Sequence, residues 1–278
     1  MAISNYHTHI YLCRHASGTV KDYVKLAIDN NYEEIGISDH APFPEDLRIK
    51  LNSTRMREDE FINTYLLELQ TTREGFQDQI KVLFGTEIEY LPETKDLLPF
   101  YKDKLDYLIL GQHYYIKNGN YYSVFGDNKY NPREVKVLSE DLYIYANTIS
   151  EALNTGYFKI LAHPEIIMIV YPKWDEHCIA AMKIIIEACI RNDVYIEFNA
   201  NGLRRGIYEP YPGCKFDKLY MYPRFEFWEL LYKEYNYDKV IISDDSHSLK
   251  DFNDYATKQA YNYFKENKFP FKNKIDIN

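Results

Sequence analysis

Short apolar or β-branched runs recur along the chain, and after each one a polar turn gives way to a segment with helical spacing. The runs are ISNYHTH at 3–9, EEIGISDH at 33–40, KVLFGTEIEY at 81–90, LDYLILGQH at 105–113, FKILAHPE at 158–165, DVYIEFNANG at 193–202 and KVIISDDSH at 239–247, which makes seven strand candidates. Between the first two, residues 19–31 place Val20, Tyr23, Val24, Ala27 and Ile28 on one helical face, with Ser17 or Thr19 available as N-cap. Further amphipathic helices are expected at 58–76, 139–156, 175–193, 224–235 and 254–267. Strands alternating with helices imply parallel βα units joined by right-handed crossovers, and seven of them predict a closed or nearly closed barrel.

Two connections, 41–59 and 203–223, are long and rich in proline, glycine and charge, as loops that line a pocket tend to be. The residues after Phe264 read as a short tail. No low-complexity linker divides the 278 residues, so a single domain over 1–278 is expected.

The net charge of −9 argues against a surface that grips nucleic acid or an anionic membrane, but leaves room for a small anionic substrate held by metals. Apolar runs such as IIMIVY are too short to span a bilayer and no charged-then-apolar leader precedes His7, so a cytoplasmic protein is expected. The four cysteines form no CxxC pair and are expected to be free thiols.

The chemistry lies at the strand ends. In order they carry His7 and His9, His40, Glu87, His113, His163, Asn199, then Asp245 and His247. Parallel strands of an α/β barrel bring their C-terminal ends to one face, where active sites lie, so this register predicts one shared site. His7 and His9 point the same way by the two-residue period of a strand, as do Asp245 and His247. Imidazole mixed with carboxylate suits Zn, Fe or Mn, whereas Mg would want more oxygen and Ca no imidazole. Nine candidate ligands, His7, His9, His15, His40, Glu87, His113, His163, Asp245 and His247, are too many for one ion and predict two or three divalent metal ions. The remaining histidine, His177, falls on a predicted helix and reads as a surface or boundary residue. Cys13 lies near the cluster but lacks a partner cysteine.

In order and spacing, HTH at 7–9, His15, SDH at 38–40, GTEIEY at 85–90, GQH at 111–113, AHPE at 162–165 and DSH at 245–247 resemble the polymerase and histidinol phosphatase (PHP) family over nearly the whole chain. EFNANGLRR at 197–205 and the charged loop after SDHAPFP resemble its monofunctional histidinol-phosphate phosphatases more than its polymerase-associated domains or tyrosine phosphatases. The resemblance implies a distorted (β/α)7 barrel with a trinuclear metal site, and carries the family's ligand positions onto the nine residues named. Asn5 and Tyr6 stand where the family more often has Asp before the first histidine. Of Asp244 and Asp245, the family spacing and strand alternation both select Asp245 as ligand, leaving Asp244 to face away or support the site. Asp39 is expected to orient a ligand, to shuttle a proton or to serve as a plain structural hydrogen-bond partner.

The expected reaction is hydrolysis of a phosphate monoester, L-histidinol phosphate above all, by metal-bound hydroxide in histidine biosynthesis. Glu87, Asp245 and His247 are the expected catalytic residues, with Glu87 bridging two ions and Asp245 available as an acid. Arg204, on a glycine-containing loop, is expected to bind the phosphate together with Asn199; Arg205, Arg55 and Arg57 rank behind it. Glu45, Asp46, Tyr208 and Glu209 lie where they could meet the substrate's ammonium and imidazole. The competing readings are another phosphoesterase of the family, acting on phosphotyrosine protein, nucleotide diesters or DNA ends, and a non-catalytic metal-binding domain. The first is separated by model substrates, and the second would be expected to lack some of the nine ligands.

Overall fold

Each of the seven apolar runs forms a parallel strand in the computed structural model, which describes residues 3–125, 137–210 and 214–277. One sheet has the order β1 (Ile3–Asn5), β2 (Tyr32–Ile37), β3 (Lys81–Phe84). The other runs β12 (Val240–Ser243), β9 (Tyr195–Asn199), β8 (Ile160–Leu161), β5 (Ile109–Leu110), β4 (Glu87–Ile88). The run 81–90 therefore serves both sheets, breaking at Gly85 and Thr86. At the two seams the sheets meet through isolated parallel bridges, His40 with Glu87 and Thr8 with Ser246, rather than through a continuous ladder.

All six expected helices are present: α1 (Val20–Asp29), α3 (Glu58–Glu60) running through a π turn into α4 (Leu66–Phe76), α6 (Ser139–Asn154), α7 (Glu176–Arg191), α8 (Phe225–Leu230) and α9 (Tyr255–Asn267). Thr19 caps α1 in a reciprocal box with Asp22, and Asp254 caps α9 by accepting from the Ala256 and Thr257 amides. Two helices were not anticipated, α2 (Glu45–Lys50) inside the first long connection and α5 (Leu98–Lys104).

Two antiparallel hairpins also lie outside the expected pattern. β6 (Tyr114–Lys117) pairs with β7 (Asn120–Ser123) across Asn118 and Gly119, both at positive φ as a two-residue hairpin turn requires. β10 (Ile207–Tyr208) pairs with β11 (Leu219–Tyr220) in the second long connection, of which 211–213 lie outside the described residues. The supposed tail after Phe264 continues α9 to Asn267 and then crosses the sheets: the Lys272 amide donates to Val240 O at 2.7 Å, and the Ile275 amide to Tyr6 Oη at 3.1 Å. Ile275 is buried there, which gives an apolar reason for the packing.

The core is aromatic where α8 and α9 meet β9. The Phe198 ring lies 5.0 Å from Trp228 and 5.1 Å from Phe264, each fully buried. Such side chains contribute roughly 1.5–3 kcal/mol apiece by leaving water. Among the described residues no helix is long and apolar enough to cross a membrane.

Candidate metal centre

The polypeptide just beyond β1 is gripped from both sides. Ser38 N donates to Thr8 O at 2.9 Å and His9 N to Ser246 O at 3.0 Å, so His7 and His9 inherit strand alternation and face the same way. Their Nε2 atoms lie 3.0 Å apart. Asn5 ties the same seam: its Oδ1 accepts from Asp244 N at 2.9 Å while its Nδ2 donates to Thr8 Oγ1 at 2.8 Å. A carboxylate there could accept but not donate.

From the facing strand ends come the other groups. Ligand atoms within 4.8 Å of one another define two sets that share His9, namely His7, His9 and Asp245 and His9, His40 and His247, and a separate one of Glu87, His113 and His163. A fourth set joins His9 to Cys13 and Asp39. His15 sits at the open edge, its ring 5.2 Å from His40 and 5.1 Å from His247. All nine sequence-selected ligand candidates are thus brought together, while His177 lies exposed on α7 beside Tyr143.

Five of the imidazoles share one orientation device. Nδ1 donates to an oxygen in each: His7 to Glu197 at 2.8 Å, His9 to Asp39 at 3.2 Å, His113 to Glu89 at 2.7 Å, His15 to Cys13 O at 2.8 Å and His247 to Asp245 O at 3.1 Å. That leaves Nε2 as the nitrogen facing the centre, where a cation can take its lone pair, the arrangement metal-binding histidines use. Asp39 therefore orients the His9 ring, and also accepts from the His40 amide at 2.8 Å and the Cys13 amide at 3.1 Å.

Glu87 lies at the middle. Its Oε1 is 3.0 Å from His163 Nε2 and its Oε2 is 2.8 Å from His40 Nδ1. The side chain reaches across the next strand only because Gly111 has no Cβ, which would collide with Glu87 Oε1. Burial opposes ionisation of both central carboxylates, yet His40, His113 and His7 hold Glu87 far below its ordinary range, and His7, His247 and His9 do so for Asp245. His163 and Asp245 both adopt positive φ, +31° and +47°, in the sparsely populated region where strain collects at functional sites.

Among the described residues, several buried polar atoms here make no hydrogen bond: Asp245 Oδ1 and His163 Nδ1, and also Glu87 Oε2 and His40 Nδ1, which approach each other without the geometry of a hydrogen bond. Leaving such an atom unmet costs about 1–3 kcal/mol. Five carboxyl groups, of Asp39, Glu87, Glu89, Glu197 and Asp245, are buried about the centre. Acceptors and lone pairs in this excess fit divalent cations, which would meet the orphaned atoms and offset the acid.

The other sequence candidates fare differently. Asn199 is turned to Glu197 and Asp245, donating at 2.8 and 3.0 Å, and does not line the cavity; it positions a carboxylate rather than meeting substrate. Arg204 is likewise turned away. Its guanidinium is bound to both oxygens of Asp254 and to the carbonyls of Asp244 and Asp251, so it clamps the start of α9. Asp244 accepts from Thr257 and from the Asn253 amide, the supporting role expected of it. Glu45 pairs with Arg48, and Asp46, Arg57 and Glu209 are exposed off the cavity wall. Arg55, Arg205 and Tyr208 do line the cavity, an open space of about 2110 Å³ with the histidines at its base.

Glu89 and Glu197 were missed in the sequence. Glu89 follows Glu87 by two and so faces the same side, the argument that paired His7 with His9. Glu197 is a carboxylate inside an otherwise buried strand, a placement that demands a partner.

The chain belongs to the PHP domain family, whose model matches residues 5–201. It is similar to the histidinol-phosphatase of Bacillus subtilis, 23% identical over 228 residues that cover 73% of this chain and 83% of that one. A Deinococcus radiodurans protein described as a probable histidinol-phosphatase is 24% identical over 215 residues, covering 74% of this chain and 76% of its own. In fold the chain resembles the histidinol phosphate phosphatase of Lactococcus lactis subsp. lactis, a structure complexed with zinc, L-histidinol and phosphate, with a TM-score of 0.70, 18% identity and 99% and 98% of the two chains covered.

Proposed function

We propose that the protein is a metal-dependent phosphoric monoester hydrolase that converts L-histidinol phosphate to L-histidinol and phosphate, a cytoplasmic step of histidine biosynthesis. The observation that carries this reading is the set of Nε2 lone pairs and orphaned carboxylate oxygens converging at the base of one cavity. Relatives described as histidinol-phosphatases supply the substrate.

The nine residues, His7, His9, His15, His40, Glu87, His113, His163, Asp245 and His247, hold two or three ions of Zn, Fe or Mn. Bound there, such ions polarise phosphoryl oxygens and lower the pKa of coordinated water to about 7. The chain's own groups do the rest. Glu87 has an oxygen toward each of two histidine sets and so fixes their spacing. Glu197, Asp39 and Glu89 keep the imidazoles in the ligating tautomer. His247 is pushed down to about 3, by burial and then by His9, and therefore presents a neutral ring at the cavity floor.

We read the two parallel sheets as one distorted (β/α)7 barrel and the whole of 1–278 as one domain, supported by the bridges at both seams and by the spread of ligands over both sheets. The test is phosphate release from L-histidinol phosphate against a panel of mono- and diesters, using protein reconstituted with Zn or Mn and a His9→Ala control. A kcat/KM preference for histidinol phosphate that the variant loses supports the reading; activity spread evenly over other esters, or none with metal bound, rejects it.

A further inference from the structure

Arg55 lies on the cavity wall in the connection between α2 and α3, with its side chain only 9% exposed. Its guanidinium is 4.4 Å from the centre of the Phe43 ring, and Nη2 donates to Glu89 Oε1 at 2.6 Å. Glu89 in turn takes the Nδ1 proton of His113 and the His113 amide. A guanidinium carries five N–H donors, and the bond to Glu89 engages one of them. The two other arginines near the cavity are less suited. Arg204 is committed to Asp254 and two carbonyls, and Arg205 is solvent-exposed beside Phe125.

A phosphate resting on the histidine cluster presents non-bridging oxygens that need preorganised donors, and a planar fork held in a part-dry wall is suited to supply them. We propose that Arg55 is the side chain that grips the phosphate of the substrate, with Glu89 aiming its fork and orienting His113 in the same contact. The inference deepens the phosphomonoesterase reading and rests on it. It also relocates the phosphate arginine from the glycine-containing loop after β9 to the connection after β2.

The experiment is calorimetric titration of metal-loaded protein with inorganic phosphate and, separately, with L-histidinol, on the natural chain, Arg55→Ala and Arg55→Lys, with bound metal measured on each. The expected result is phosphate affinity weakened about 30-fold or more in Arg55→Ala. Arg55→Lys, which keeps charge but not the fork, should fall between, with metal content unchanged in both. Phosphate affinity within about twofold of the natural chain in Arg55→Ala overturns the proposal. So does loss of metal in both variants, since Arg55 would then be a prop for Glu89. The phosphate series decides the role of Arg55 by itself, whereas the L-histidinol series on the natural chain tests the substrate reading, so the two can fail separately.

Discussion

His7 Nδ1 is held by Glu197 Oε1 at 2.8 Å, and the same carboxylate takes the His163 amide at 3.2 Å through its other oxygen. One buried side chain of β9 thus sets the ring of a ligand candidate after β1 and the backbone of another after β8. Glu197→Gln keeps the shape and removes the charge that favours a donating Nδ1. We expect metal affinity to fall roughly 10–100-fold with the fold intact. Competitive titration against a chromophoric chelator checks this, and unchanged affinity would show that Glu197 only packs.

Gly111→Ala should act on Glu87 alone. The added methyl occupies the space of the Glu87 carboxylate, so that side chain must leave the centre. Activity should drop by at least about a hundredfold, the loss of about 2.7 kcal/mol of transition-state stabilisation, while far-ultraviolet circular dichroism stays native.

Acid should strip the metal. Burial pulls the His7 and His9 pKa values down, but Glu197, Asp245 and Glu87 about His7, and hydrogen bonds His9 donates to Asp245 and Asp39, carry both well above the ordinary range. In metal-free protein these rings therefore keep their protons at neutral pH, and a cation must displace them. Apparent metal affinity should rise with pH, with protons released on loading. For the metal-free fold the sign follows from linkage: the raised histidines stabilise fully below about pH 6.5 and less as pH climbs through their folded values. Glu87 and Asp245, held low, stabilise above about pH 4 and lose that contribution as pH falls further. Chelator-treated protein melted across pH would reveal both limbs, and a flat profile would contradict them.

Stability without chemistry is testable at Arg224. This arginine is fully buried, bonded through Nε and Nη2 to Glu226 and through Nη1 to Pro172 O. Arg224→Ala breaks this buried ion pair and the bond to Pro172 O, a loss of about 3–5 kcal/mol, visible as a lowered urea midpoint. His177→Ala, on exposed α7, should change neither stability nor turnover measurably.

The strand ends were readable because ligand chemistry and strand period coincide: a histidine or carboxylate closes six of the seven runs, and each of those residues reaches the centre. Residues whose partners lie far along the chain were not readable. Arg204 looks like a phosphate fork until Asp254, fifty positions on, is seen to take it. Asn199 resembles a substrate contact until Asp245 arrives beside it. The β6–β7 hairpin is a different case, since Asn118 and Gly119 between alternating residues are a strong local turn signal that a search for parallel units passes over.

The bond between Asn5 and Asp244 joins positions 239 apart in the chain. During synthesis Asn5 and the histidines after β1 emerge long before β12, and their contacts with Asp244 and Ser246 wait for that strand. A contact of such high sequence separation is slow to form on entropic grounds. The centre is complete only once β12 is in place, because a chain halted before it lacks Asp245 and His247.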